Sequence, residues 1–193
     1  IVSRLLNYFS FVFTSLFIGL FKIGKQDILI CESPPLFLGI SAIILKWAKG
    51  SKLVFNVSDL WPESAEKMGI VTNKFLLSFA YRLEKRCYDK ATLITGQTQG
   101  IVDNIVNRFG YDKVHWLPNG VNLDFYNPEK IVAGQLRQEE NLKEEDVLFF
   151  YGGIIGHAQG LPTVLEAAKL VENHEQIKII LQGAGPVKEE LLA

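Results

Sequence analysis

Cysteine is scarce in this chain of 193 residues: there are two, Cys31 and Cys87, without a C-x-x-C spacing. That excludes a disulfide framework and a paired metal site, and leaves reduced packing residues of a cytosolic protein. The three histidines, His115, His157 and His174, stand far apart, so no Cys/His cluster has zinc spacing. Net charge is only −1, so the total points to no nucleic-acid partner. Disorder is excluded as well, since 48% of residues are hydrophobic and 21% charged.

The small total hides a division. Residues 1–130 carry a net of +4 and residues 131–193 a net of −5, which implies two units with different partners. The chain starts at Ile1 and stops within the helix-like run Leu191-Leu192-Ala193, and reads as an internal piece of a longer protein.

No charged residue occurs from Leu5 to Phe21, a stretch rich in Phe and Leu. It predicts a helix over 3–22 at the short limit for a membrane span. Ser3, Asn7, Ser10 and Thr14 recur at three or four residues and form a polar stripe. That stripe, with Arg4, Lys22 and Lys25 at the flanks, suits a helix lying in a membrane surface. A core helix is the alternative, and a span or a signal peptide fits less well. Beyond it, strands are expected at 27–31, 52–57, 92–95 and 113–117, with helices at 36–49, 74–90 and 98–109. The charged stretch 128–146 marks a domain boundary, with units at 1–129 and 130–193. A strand at 147–151, a helix at 161–173 and a strand at 177–181 begin the second unit. Connections too long for hairpins make the sheets parallel, with helices on both faces.

Ligands of such sheets bind beyond the carboxyl ends of the strands. These ends read Glu32-Ser33-Pro34-Pro35, Ser58-Asp59-Leu60-Trp61-Pro62-Glu63-Ser64 and Pro118-Asn119-Gly120-Val121-Asn122, followed by two glycine turns. The first turn, Gly152 to Gly160, offers backbone N–H groups and a helix start to a phosphate. Its spacing matches neither G-x-G-x-x-G nor G-x-x-x-x-G-K-[ST]. An ordinary strand-turn-helix accounts for it equally. Asp59 is a candidate N-cap as well as a candidate functional group, and Trp61 and Pro62 could close a core edge.

Ser33-Pro34-Pro35, Ser58-Asp-Leu-Trp-Pro-Glu-Ser64, Leu117-Pro-Asn-Gly-Val121 with Phe125, and Tyr151-Gly-Gly with Gln159-Gly160-Leu161 follow one another in an order that resembles glycosyltransferase family 4. More narrowly, it is similar to the branch serving bacterial capsule, O-antigen and colanic-acid synthesis. The resemblance covers nearly the whole chain. It implies the α/β GT-B fold class, two Rossmann-like domains with parallel sheets facing across a cleft, both incomplete here. The implied reaction is retaining, metal-independent transfer of a hexosyl or N-acetylhexosaminyl group from a nucleotide-diphosphate sugar to a lipid-linked or polysaccharide-precursor acceptor. No separate cofactor is implied. The implied location is cytoplasmic and peripheral at the inner face of the plasma membrane, through helix 3–22.

By position, the resemblance places Gly152, Gly153, Gly156, His157, Gln159 and Gly160 at the donor diphosphate and Gly183 and Gly185 near the nucleotide. Asp59 is the catalytic candidate facing the transferred sugar, with Glu63, Asn119 and Gly120 beside the cleft. Where many members carry Arg and Lys for the diphosphate, this chain has Ile154 or Ile155 and Gln159. His157, Gln159 and backbone donors would then serve instead. Neither the Asp-x-Asp of metal-dependent transferases nor the family's E-x7-E pair occurs, and the chain alone is expected not to turn over. A sugar-nucleotide epimerase of the same architecture and a non-catalytic envelope-pathway module are the competing functions.

Overall fold

The computed structural model describes residues 2–130 and 134–192, with side chains from Leu6 onward. The first unit contains α1 (Val2–Phe21), β1 (Ile28–Ser33), α2 (Leu38–Lys49), β2 (Lys52–Val57), α3 (Glu63–Lys67), α4 (Lys74–Lys90), β3 (Leu93–Gly96), α5 (Gln99–Phe109) and β4 (Val114–Trp116). The second contains α6 (Gln135–Glu139), β5 (Val147–Gly152), α7 (Leu161–Leu170), β6 (Ile177–Gln182) and α8 (Lys188–Leu192). The units are Ile1–Val121 and Asn122–Ala193, so the division falls before the expected 129/130. At this point Asn122 Oδ1 accepts from the N–H groups of Asp124 and Phe125, both at 3.0 Å, in a local turn. The short α3 was not anticipated.

In unit 1 the four strands are parallel and lie in chain order, β1-β2-β3-β4. Their side chains alternate between faces. Cys31, Phe55 and Ile94 share one register row and are buried together with Ala42 of α2, Leu83 and Tyr88 of α4, and Ile105 of α5. The other face is open along β1: Ile28 and Ile30 are 58% and 70% exposed. The expectation of helices on both faces is therefore corrected to one covered face among the described residues. The cause is topological. Successive right-handed crossovers in one direction deliver every helix to the same side, and only a reversal of strand order sends helices to the other.

Local chemistry fixes the helix ends. Asn73 caps α4 by accepting from Phe75 and Leu76 N–H, and Thr98 caps α5 by accepting from Ile101 N–H. Gly50 and Gly110 close α2 and α5 in the left-handed conformation. Between α4 and α5, Glu84 is fully buried and meets a guanidinium fork from Arg108 at 2.6 and 3.1 Å, while the Tyr88 hydroxyl donates to it at 3.2 Å. Burial pushes the Glu84 carboxyl above its ordinary range, and the Arg108 fork opposes that push.

The α1 helix lies on α2 by a narrow face. Val12 and Gly19 are buried, the Ser41 hydroxyl donates to the Val12 carbonyl at 2.7 Å, and a Cβ on Gly19 would come within 2.7 Å of the Leu45 methyls. The polar stripe faces solvent, with the hydroxyls of Ser10 and Thr14 donating to carbonyls one turn back. The side chains of Ser3 and Arg4, also named in the sequence reading, lie outside the described residues. A third face carries Leu6, Phe9, Phe13, Phe17 and Phe21, all exposed. No helix among the described residues is long and apolar enough to cross a membrane.

Unit 2 pairs β5 with β6 in parallel, from Val147 opposite Ile177 to Gly152 opposite Gln182. Its buried cluster is Ile155, Leu161 and Val187, with Tyr151, Val164 and Leu191 packed against it. α7 ends at Leu170, earlier than expected.

Candidate functional site

The sheet ladder of unit 1 continues one residue past each strand. Ser58 N–H donates to the Ser33 carbonyl at 2.8 Å, Gln97 N–H to Val57 at 3.1 Å, and Leu117 N–H to Gly96 at 2.9 Å. Residues just beyond the strands are thus held almost as firmly as the strands themselves. Glu32, Asn56, Thr95 and His115 form one register row across all four strands at the carboxyl edge.

These side chains are wired together. Asn56 Nδ2 donates to Glu32 Oε2 at 2.5 Å, and the Ser58 hydroxyl donates to Glu32 Oε1. Gln97 Nε2 donates to the Ser58 oxygen at 2.6 Å, and Thr95 Oγ1 donates to Asn56 Oδ1 at 2.6 Å. Two chains of neutral donors therefore end on one exposed carboxylate. Such a carboxylate is an acceptor held in place by its neighbours, suited to hydroxyl groups of a polar ligand. Asn56 and Gln97 were absent from the sequence-based candidates, and Glu32 stood there only as part of the first strand end, without a role of its own. The usable signal was the shared row of Glu32 and Asn56, with Gln97 just past the end of β3, which appears only once strand order is known.

Asp59 is half-buried, and its Oδ1 accepts from the Ser64 hydroxyl at 2.6 Å. It does not cap α3: the N-cap there is Pro62, without a side-chain hydrogen bond. Trp61 packs edge-on to Phe37 at 6.1 Å, and Phe37 lies 5.0 Å from Phe9, so an aromatic chain joins α1 to the Asp59 loop. Pro62 is buried. Trp61 and Pro62 thus have a packing role.

Glu63 is taken up by its neighbours. It accepts from Lys67 at 2.5 Å and Asn104 at 3.3 Å, and Arg108 stands 3.7 Å away. The Lys67 hydrogen bond leads in holding its carboxyl below the ordinary range. Asn119 and Gly120 lie exposed after β4. A Cβ at Gly120 would meet nothing within 4 Å, so packing does not require glycine there.

In unit 2 the two glycine turns lie against each other. Ile155 N–H donates to the Ala184 carbonyl at 3.0 Å and Val187 N–H to the Ile155 carbonyl at 3.3 Å. A Cβ on Gly183 would sit 1.8 Å from the Gly153 oxygen, and one on Gly185 would sit 2.0 Å from the Ile155 oxygen. Close backbone approach accounts for both glycines. Gly152 and Gly153 lead out of β5, and Gly156 is buried beside exposed His157 and Gln159. Gly160 then starts α7 at φ +63, with no side-chain cap. In the first turn Pro162 has no N–H and Thr163 N–H donates to the Gly160 carbonyl at 3.1 Å, so the Leu161 N–H and the exposed turn before it are what this end offers to an acceptor. Unit 1's Glu32 edge and unit 2's glycine loop are the two chemically equipped regions. No group of three His, Cys, Asp or Glu residues able to hold a metal occurs among the described residues.

Comparison with known proteins agrees with this architecture. No curated protein matches the chain. The solved structures similar to it include HepE of Anabaena with UDP, at 17% identity and TM-score 0.63, matching 94% of this chain and 44% of that one. HepE with UDP and glucose matches at 17% identity and TM-score 0.59, over 83% of this chain and 41% of that one. HepE with UDP-glucose matches at 13% identity and TM-score 0.52, over 91% and 51%. The chain spans about half the length of these structures. At such identities the likeness concerns the fold, and the fold is the class read from the sequence: parallel α/β, in Rossmann-like units of the GT-B type. The profile of Glycosyltransferase Family 4 matches residues 1–125, which takes in α1 and the whole Glu32–Ser58–Asp59 edge; this chain belongs to glycosyltransferase family 4.

Proposed function

We propose that the protein transfers a hexosyl or N-acetylhexosaminyl group from a nucleotide-diphosphate sugar to a lipid-linked acceptor of polysaccharide synthesis, with retention and without a metal. The observation that carries the donor half is the uncapped start of α7 behind the Gly152–Gly160 turn. Leaving diphosphate gathers negative charge, and N–H groups fixed in advance stabilise it without reorganising. His157 and Gln159, both exposed on that turn, supply side-chain donors there. The HepE structures were solved with UDP and UDP-glucose, and the donor reading extends that chemistry to this chain.

For the acceptor half, Asp59 faces the transferred sugar and the Glu32 network receives hydroxyls. The Phe13, Phe17 and Phe21 stripe of α1 rests on the inner membrane surface, where a lipid-linked acceptor is found. Exposed aromatic side chains on a helix that cannot span suit an interfacial position. Incubating the intact protein with labelled nucleotide sugars, membranes and excess chelator tests the whole reading. Label entering lipid with the anomeric configuration kept is the expected result. Free epimerised sugar nucleotide, or no turnover at all, would defeat it.

A further inference from the structure

The turn that leaves β5 is tied to the second glycine turn by backbone alone, with one exception. Gly153 N–H donates to the Gln182 carbonyl at 2.9 Å. Ile155 spends its N–H on the Ala184 carbonyl at 3.0 Å and its carbonyl on Val187 N–H at 3.3 Å. The exception is the Ile154 carbonyl, which accepts from the Tyr151 hydroxyl at 2.8 Å. Among the described residues this is the only side-chain hydrogen bond made to the Gly152–Gly160 turn.

A trans peptide points its carbonyl and its N–H in opposite directions. The Ile154–Ile155 peptide is therefore gripped on both edges, by Tyr151 and by Ala184, and a flip of its plane would break both bonds. The tyrosine is itself held, its ring half-buried against the cluster of Ile155, Leu161 and Val187. Gly153 belongs to the same device. A Cβ there would stand 3.0 Å from the Tyr151 hydroxyl oxygen and 3.3 Å from the ring carbon that bears it, so a larger residue pushes the hydroxyl away. Packing does not ask for that hydroxyl. Phenylalanine would fill the same space, and Ile154 lies exposed, where water serves its carbonyl as well. What the hydroxyl adds is direction. A carbonyl turned toward an anion repels it, whereas successive N–H groups of a turn attract it.

We infer that Tyr151 is a positioning residue of the donor loop: its hydroxyl locks the Ile154–Ile155 peptide, so that the turn meets the donor diphosphate with N–H groups and not with a carbonyl. The inference rests on the donor reading of the Gly152–Gly160 turn and adds the side chain that sets the turn's shape before the ligand arrives. Groups fixed in that way need no reorganisation when charge develops on the leaving diphosphate.

Calorimetry of the intact protein with UDP and with GDP tests it, alongside urea unfolding. Tyr151→Phe keeps the ring and should weaken nucleotide binding about fivefold, the loss of one hydrogen bond, with its urea midpoint close to the parent's. Gly153→Ala should weaken binding to a similar extent by displacing the hydroxyl. The double variant Y151F/G153A should bind no more weakly than Y151F, since the hydroxyl is already gone. Val164→Ala trims the same buried cluster from α7 rather than from the turn, and should lower the midpoint of unit 2 while leaving affinity unchanged. Parent-like binding by Y151F, losses that add in the double variant, or an equal loss of affinity in V164A would overturn the proposal and leave the donor reading standing. A parent protein that binds neither nucleotide would overturn both.

Discussion

The two units use their polar groups differently. In unit 1, Asn73 and Thr98 cap α4 and α5, and Lys46, Lys49 and Lys113 close carbonyls at helix ends. In unit 2, α7 begins at Gly160 with no side chain across its N-terminus. The cores differ as well. Unit 1 packs one sheet face against three helices, with Phe55, Tyr88 and Glu84 almost wholly buried. Unit 2 closes around Ile155, Leu161 and Val187, beside a two-stranded sheet of a size that is marginal alone. Unit 1 caps α4 and α5 with side chains, while its α2 and α3 begin without one, as α7 does. Unit 2 instead exposes the glycine turn before α7, with His157 and Gln159 on it, which suits a ligand site.

The largest test of that contrast is Arg108→Ala. It strands the Glu84 carboxylate in the interior, and breaking a buried pair from one side costs about 3–5 kcal/mol. Denaturant unfolding of the intact protein should show that loss in unit 1's transition alone. A loss below about 1 kcal/mol would mean that water reaches Glu84 and that the core is looser than described.

Gly185→Ala probes unit 2. Its Cβ would stand 2.0 Å from the Ile155 oxygen, so backbone must shift, at about 1–3 kcal/mol. Gly120→Ala is the control, since nothing lies within 4 Å, and it should stay within about 0.5 kcal/mol of the parent. Donor affinity, read by calorimetry with UDP, should fall in the first and hold in the second. Equal costs at both positions would remove the packing explanation for Gly183 and Gly185.

Element types were legible because apolar runs and breakers are local. Strand 52–57 and helix 74–90 lie where their residues put them, since β-branched packing and a 3.6-residue period need no knowledge of the rest. What escaped depends on strand order. The open face with Ile28 and Ile30 follows from four strands laid in one direction, and no period in the sequence records direction. The network on Glu32 was missed for the same reason: its partners Asn56, Ser58 and Gln97 come from other strand ends. Gly183 and Gly185 carry a second requirement that only the structure shows. Their motif was read as a ligand feature, while the backbone of the neighbouring turn already requires them.

A smaller effect should follow from Asn73→Ala, which removes the acceptor for Phe75 and Leu76 N–H at 2.9 and 3.1 Å. Loss of an N-cap costs about 1 kcal/mol. Unit 1's midpoint should fall accordingly, with UDP affinity unchanged. A change in UDP affinity would show that the caps of unit 1 and the donor site of unit 2 are coupled, which the contrast denies.

The smallest expected effect is on acid stability. Glu63 is held below the ordinary range first by its Lys67 hydrogen bond, and Asp89 first by Lys85 and then by Tyr111. A carboxylate with a depressed folded pKa binds its proton more readily when unfolded. Its contribution is therefore present above the unfolded value, about 4.3 for Glu and 3.9 for Asp, and is lost as pH falls through the folded value. Unit 1 should be insensitive to these groups at neutral pH and weaken only below about pH 4. Both pairs are exposed i,i+4 contacts, so the slope is shallow. Urea midpoints taken from pH 7 to 2.5 should show the E63Q/D89N variant with a flatter acid limb in unit 1's transition and no change in unit 2's. A parent-like limb in that variant would show that neither pair sets the acid limb, and Glu84 does not take their place, because burial raises its folded value and a group so raised costs no stability on acidification.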